Sequence, residues 1–573
     1  MRNFQGHLCK DKFGLPWGAF AILCLAAALS SGCGSSLEEG RSGMVVSQHP
    51  MASEVGRSIL QSGGNAVDAA VATAFALGVV EPYHSGVGGG SFIVIRMADT
   101  GETVAIDARE KAPMAAKRDM YQRDHGVVPG LSTAGPLAVG VPGTLAGLEL
   151  ALEKYGTMSL KDVIAPSIRI TEAGVEIDPF FHHVLEEKLG LLTRFPETAS
   201  IYLNDLERPL PVGYRLLQKD LAETYGKIGE GGIGVFYRGE IAQSIAAYMK
   251  EAGGLITLDD LAAYSPVLRS PIRGTYRGFE ILSMPPPSSG GVHLVEILNL
   301  LEGFDVSASP RGDAVTYRRL ADAMSLAFED RAKYLGDADY VDVPVEKLIS
   351  KEYARRLRDR MGDRQTKDEN DDHTRRPAGG RGGTSHLCVI DRDENVVSLT
   401  QTINLWFGSG ITVPGTGIIL NDEMDDFSAM PGVPNDFGLV GSEANSIEPG
   451  KRPLSSMSPT IILKDGKPYL VLGSRGGPKI ITSVLQVAVN VIDHGMPLDK
   501  AVEAPRIHHQ WLPDVLYVEE GVHEAVRRKL EEYGYKTEVL ESGIGCVSGI
   551  MVLPGGVIYG MADPRGIGAA RGY

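Results

Sequence analysis

Cysteine is scarce in this chain and basic charge is in deficit. The 573 residues include five cysteines, Cys9, Cys24, Cys33, Cys388 and Cys546, with no C-x-x-C pair among them. That excludes a zinc cluster and a disulfide scaffold. Lys and Arg total 56 against 72 Asp and Glu, a formal charge of −16. Chains that grip polyanions carry a basic surplus, so nucleic acid is excluded as a partner. Beyond residue 29 no apolar run is long enough to span a bilayer. Several catalytic signatures are missing too: there is no G-x-S-x-G, no H-E-x-x-H and no S-x-x-K serving a β-lactamase-like serine. The cluster Gly86-Val87-Gly88-Gly89-Gly90 is neither a dinucleotide fingerprint nor a Walker loop, which argues against a phosphate site.

What remains is the composition of an ordinary folded protein, 43% hydrophobic and 22% charged. Glycine is in excess, 70 residues against a usual share of about 7%. It lies in short clusters without a Gly-X-Y period, as turns and close backbone approaches demand. At the N-terminus Arg2, Lys10 and Lys12 precede the apolar run Leu15 to Leu29. A helix of that length rises about 22 Å against a hydrocarbon core of about 30 Å, so residues 1–32 read as an export signal. Cys33 after Leu29-Ser30-Ser31-Gly32 resembles a bacterial lipoprotein cleavage site, although Ser30 stands where leucine is usual. Ordinary signal cleavage nearby is the alternative. Either reading places the protein in the bacterial periplasm or cell envelope, touching membrane only through a lipid on Cys33.

Downstream, Ala52 to Leu60 reads as a helix ended by Ser62-Gly63-Gly64, and Asn65 starts a second, Ala66 to Val80, apolar nearly all round and so buried. Phe92 to Met97 and Thr103 to Ala108 read as strands. Residues 362–383 hold ten charges and no Val, Ile, Leu, Phe, Tyr or Trp; such a segment cannot offset its ordering entropy and is expected to be a mobile polar tail. Then the character changes. Thr384 to Ile390 and Val396 to Ile403 are strand-like around the turn Asp391-Arg392-Asp393-Glu394-Asn395, a hairpin that sets Thr384 opposite Thr402, with Asn404 just beyond. Hairpins at Thr460 to Leu472 and Val547 to Tyr559, with helices near Ile480 to Val491 and Val522 to Tyr533, complete a strand-rich second half.

A threonine hydroxyl becomes a competent nucleophile when a base lies within hydrogen-bond reach, and a free α-amino group with pKa near 8 serves when the threonine begins a chain. Thr384, at the end of the polar segment, suits that role: its hydroxyl can attack the unshielded Gly383 carbonyl. The plain alternative is a polar loop meeting a strand.

Eight segments in register resemble the γ-glutamyltranspeptidases: Gly63 to Ala70, Asp107 to Glu110, Met284 to Gly291, Thr384 to His386, Asn421 to Ser428, Pro453 to Thr460, Gly473 to Gly477, and Asp563 to Arg565 with Gly572-Tyr573. The resemblance implies an α+β fold, the four-layer αββα sandwich of the N-terminal-nucleophile hydrolases, formed jointly by a large subunit (33–383) and a small one (384–573) cut from one precursor. It implies γ-glutamyl transfer and glutathione hydrolysis, with water or an amino-acid or peptide acceptor and with no cofactor or metal. Thr384 becomes the nucleophile and Thr402 its orienting partner, Gly383 and Thr384 flank the cleavage site, and Gly476 and Gly477 supply the oxyanion donors. Arg109, Ser455 and Ser456 hold the substrate α-carboxylate, while Asn404, Glu423 and Asp426 accept from its α-ammonium. Phe437 lies on a lid where some members carry a tyrosine that bonds the residue matching Asn404, so a lid that is looser or held by packing alone is expected. Residue by residue, other readings stay open: a surface ion pair for Arg109, a turn for Ser455-Ser456, a cation site at Asp422, Glu423, Asp425 and Asp426, ligands or a packed pair for His508-His509 with Trp511. For the whole chain the alternatives are a glutaryl-type β-lactam acylase, a γ-polyglutamate depolymerase, or a non-catalytic γ-glutamyl-peptide-binding lipoprotein.

Overall fold

The central strands of the first sheet are buried at every position rather than at alternate ones, which requires both faces of the sheet to be covered. The computed structural model describes residues 37–124, 126–362 and 382–573. The export signal, Cys33 and most of the polar tail (363–381) lie outside the described residues. Two seven-stranded antiparallel sheets stack face to face. The first runs in the order Ala569–Gly572, Met44–Ser47, Gly382–Ile390, Val396–Leu405, Gly90–Arg96, Thr103–Ala108, Val267–Arg269. The second runs Glu38–Gly40, Ile558–Ala562, Cys546–Val552, Lys467–Arg475, Thr460–Lys464, Phe279–Ser283, Ile272–Tyr276.

The period-2 geometry of a strand sends neighbouring side chains to opposite layers. In the first sheet Phe92, Val94, Cys388 and Val396 point to the inter-sheet core, while Ile93, Ile95, Leu387 and Val397 face the helices. In the second sheet Leu282, Ile461 and Val471 face inward and Ile281, Ile462 and Leu472 face the other helical layer. Helices Pro50–Gln61, Ala66–Val80, Thr144–Tyr155 and Leu160–Ala173 cover the first sheet, and Gly290–Leu301, Ala314–Tyr334 and Lys479–Ile492 cover the second. The result is the expected αββα sandwich.

Ala66–Val80 has all fifteen residues buried and is capped by a reciprocal Asn65–Asp68 box, which satisfies backbone donors that burial would otherwise orphan. It lies against the strand Gly382–Ile390 and so forms the floor under Thr384. Both described cysteines, Cys388 and Cys546, are buried free thiols.

Candidate active site

The hairpin register is the one expected: Thr384 pairs with Thr402, and Gly383 pairs with Asn404. The jump between those pairs is a bulge that leaves Ile403 unmatched, and Asn404 absorbs it with φ of 76°, a conformation asparagine tolerates better than most residues. Gly383 is required there by space. A Cβ would stand 2.5 Å from the Leu405 carbonyl oxygen and 2.9 Å from that of Tyr83, both backbone atoms that cannot swing aside.

Thr384 and Thr402 are 4% and 2% exposed, so their few hydrogens can be assigned by elimination. Thr402 Oγ1 has a single proton and gives it to the Gly383 carbonyl oxygen at 2.5 Å. It accepts from the Asn404 N–H at 2.9 Å and lies 3.1 Å from Thr384 Oγ1. Since its one proton is committed, Thr384 must be the donor in that last contact. Thr402 is thereby saturated, polarising the Gly383 carbonyl while drawing the proton of Thr384 away from the lone pairs that would attack.

Beside Thr384 a pocket is lined by Arg109, Thr402, Asn404, Glu423, Asp426, Phe437, Ser455, Ser456 and Gly477 among others. Arg109 is 1% exposed and is no surface ion pair. Its guanidinium meets Glu423 Oε1 at 2.5 Å, hydrogen-bonds Asp426 Oδ2, and donates through Nε to the Pro453 carbonyl at 3.1 Å. Burial opposes its charge, but Glu423, Asp426 and Glu110 hold its pKa above the usual value. Glu423 is pushed well above the carboxylate range by burial, with Arg109 only partly opposing. Ser455 is fixed by backbone pairing with the loop after Met284: its N–H donates to Pro287 O at 2.8 Å and its carbonyl accepts from Ser289 N. That pairing accounts for the run of prolines, serines and glycines there.

Gly476 and Gly477 follow the strand Lys467–Arg475 with φ of 122° and 59°, successive left-handed conformations that suit glycine. They precede the helix Lys479–Ile492, whose N-terminal end favours developing negative charge. Phe437 is buried, with its ring against Gly477, where a Cβ would meet it at 2.7 Å. The lid is held by more than packing: Gln510 Nε2 donates to the Phe437 carbonyl at 3.1 Å, Asn435 Nδ2 to Asp426 at 3.3 Å, and the Asp436 N–H to Asp425 at 3.0 Å. Asn404 Nδ2 donates to the Asp422 carbonyl at 3.1 Å.

The carboxylates that could have formed a cation site diverge. Asp422 accepts from the Leu405 N–H, Asp425 from Ser132 Oγ, and Glu423 and Asp426 turn to Arg109. Among the described residues no cluster of three His, Cys, Asp or Glu is placed to hold a metal. His508 and His509 are a packed pair, bonded to Thr482 and Gln510 and to Asp514.

Sequence reasoning missed the polar groups behind the site. Glu110 is fully buried over Arg109, and burial raises its pKa to about 7. Arg331, within Ala314–Tyr334, donates to Ser289 Oγ at 3.1 Å and reaches Ser456 Oγ at 3.4 Å; burial lowers its pKa to about 10. Glu81 closes the helix Ala66–Val80 and contacts Ser385, His84 and Arg475. A charge ending a helix that is apolar nearly all round was the available signal, because such a group needs a buried partner.

Known proteins are similar to this chain along most of its length. The chain is 46% identical over 530 residues to the glutathione hydrolase proenzyme of Escherichia coli, spanning 92% of this chain and 91% of that one. It is 40% identical to an acylase proenzyme of a Pseudomonas strain, SE83, with 94% of each chain covered. The solved cephalosporin acylase of Bacillus halodurans superposes with a TM-score of 0.82 at 28% identity over 99% of both chains. A family model described as gamma-glutamyltranspeptidase matches residues 52–573. With the sandwich, the threonine pair and the acid-flanked arginine all in place along that span, the chain belongs to the γ-glutamyltranspeptidase family.

Proposed function

We infer that this chain is the precursor of a γ-glutamyltransferase and glutathione hydrolase that cuts itself before Thr384. Thr384 Oγ attacks the Gly383 carbonyl carbon while Thr402 donates to the carbonyl oxygen, the C–N bond breaks, and the released nitrogen takes up the proton. Water opens the resulting ester, leaving a Gly383 carboxylate and a free α-amino group on Thr384. In turnover that amine accepts the hydroxyl proton as Thr384 attacks a γ-amide. The proton passes to the departing amine, which is Cys-Gly when glutathione is the substrate, and the acyl group goes from the threonyl ester to water or an acceptor amine. Gly476 and Gly477 N–H groups stabilise the oxyanion.

The observation that carries this reading is the pairing of Arg109 with Glu423 and Asp426 beside Thr384. A γ-glutamyl group ends in a carboxylate and an ammonium. Its carboxylate matches Arg109, Ser455 and Ser456; its ammonium matches Asn404, Glu423 and Asp426, and adds a second positive charge to the one that Arg109 already sets against buried Glu423. A glutaryl group has no ammonium, so the same residues speak against an acylase. On a denaturing gel the processed protein should give bands of about 38 and about 20 kDa from the 61.3 kDa chain, and Thr384→Ala should leave one. Wild-type protein that stays whole, or that turns over glutaryl amides faster than γ-glutamyl amides, overturns the reading. The apolar run 15–29 and Cys33 support export to the cell envelope, tested by fractionation and by a Cys33→Ser variant. Among the described residues no helix is long and apolar enough to cross a membrane.

A further inference from the structure

Behind the site one carboxylate touches both halves of the machinery. Glu81 Oε2 accepts from Ser385 Oγ at 2.9 Å, and Ser385 is one peptide from Thr384. Glu81 Oε1 accepts from Arg475 NH1 at 3.3 Å, and Arg475 is one peptide from Gly476. All three side chains are buried. We propose that Glu81 is a positioning residue that ties the nucleophile strand to the oxyanion loop, one carboxylate oxygen holding each, and that the Arg475 arm serves turnover and not self-cleavage. This rests on the roles inferred above for Thr384, Gly476 and Gly477.

Stability alone gives a poor account of the arrangement. Glu81 stands at the C-terminal end of a fifteen-residue helix, where the helix dipole repels a carboxylate, and a buried ion pair is commonly no better than well-packed apolar residues. Nor does His84 relieve it by ionising. Its Nε2 accepts from Trp406 Nε1 at 3.1 Å, which leaves the ring's one proton to Nδ1, 3.5 Å from Glu81 Oε1 and 3.0 Å from Arg475 NH1, so a second proton, on Nε2, would face a donor. Burial, with Arg475, lowers its pKa to about 4. Arg475 therefore supplies the lasting counter-charge. Its side chain is further confined by the Phe180 ring, 5.2 Å from the guanidinium carbon. The anchor itself is rigid, since the helix bearing Glu81 is wholly buried. Two loops that must meet a reacting carbonyl within a fraction of an ångström are thus referred to one fixed point.

The two reactions differ in their oxyanion donor. The Gly383 carbonyl oxygen is already held by Thr402 within the same hairpin, whereas a bound substrate would rely on Gly476 and Gly477. Loosening the Arg475 arm should therefore spare the first reaction and slow the second.

The test is Arg475→Met in the full chain. We expect processing within about threefold of wild type, and kcat on a chromogenic γ-glutamyl anilide lowered at least about tenfold at little-changed KM, since an ångström of misplacement is worth about 10²-fold. A boronate that mimics the tetrahedral adduct should bind more weakly by the same factor as the fall in kcat/KM, while glutamate binds as before. Glu81→Gln should lower kcat too, and the double variant should be no worse than the poorer single one. If Arg475→Met does not fold, the double variant, which buries no unpaired charge, is read in its place. A kcat within twofold of wild type, equal losses for boronate and glutamate, or additive effects overturn the proposal. An uncut wild-type chain, or an active Thr384→Ala, would instead overturn the reading on which it rests.

Discussion

Replacing Thr402 by valine removes one oxygen and keeps the shape. That oxygen makes three contacts in the uncut chain: it donates to Gly383 O, accepts from the Asn404 N–H and accepts the Thr384 proton. Only the first grows stronger as the carbonyl becomes an oxyanion. Loss of a single such donor raises a barrier by about 2.7–4 kcal/mol, or about 10²–10³ in rate. The orphaned Asn404 N–H affects the ground state and the transition state alike, so its cost of about 1–3 kcal/mol belongs to stability rather than rate. Precursor made by cell-free synthesis and followed on denaturing gels should thus lose its full-length band about 10²–10³ times more slowly in Thr402→Val. Thr402→Ser, which keeps the hydroxyl and loses a methyl group, should stay within about tenfold of wild type. Thr402→Val precursor that matures within threefold of wild type, or a serine variant as slow as the valine one, would refute the proton assignment.

Gly383→Ala should slow maturation by about 10²-fold, because its Cβ can be admitted only by moving the backbone at Leu405 and Tyr83; normal processing of this variant would contradict the crowding argument. Arg109→Lys should mature normally, since Arg109 does not touch the scissile bond, yet lose about 10²-fold in kcat/KM for γ-glutamyl substrates because an ammonium cannot reproduce the forked contacts to Glu423 and Asp426. An unchanged KM would speak against its role in recognition. His386 bears on acid stability: burial depresses its pKa from 6.5 to about 3, so the folded state refuses a proton that the unfolded chain accepts. Its contribution is complete above pH 6.5 and falls as pH drops toward 3. Between pH 7 and 5 that loss is about 2 kcal/mol, and urea midpoints at the two pH values should lie closer together in His386→Gln than in wild type.

Much of the site was legible because it depends on local spacing. The register of Thr384 against Thr402 follows from the length of a single turn, and the burial of Ala66–Val80 follows from its lack of a polar face. Glycine at 383, 476 and 477 could be assigned once a role demanded close approach. The rest depends on contacts that no local pattern encodes. Glu81 and Arg475 meet across 394 residues, and Arg331 reaches Ser456 across 125. The bulge that frees Asn404 was likewise invisible, since symmetric hairpin arithmetic assumes that no residue is skipped. For Phe437, side-chain identity showed that a hydroxyl was missing; it could not show that Gln510 and Asn435 would fasten the backbone instead.

Each sheet interleaves strands from before and after Thr384: Gly382–Ile390 lies between Met44–Ser47 and Val396–Leu405, and Thr460–Lys464 lies beside Phe279–Ser283. A chain severed at that point keeps its shape while losing the covalent continuity that let one end find the other. Reassembly from denaturant then becomes a second-order encounter between two fragments, each exposing unsatisfied sheet edges open to aggregation. If the chain is cut before Thr384 as proposed, maturation in this architecture is a one-way ratchet: the information to fold is spent once, by the uncut chain, and the cut enzyme survives by never fully unfolding.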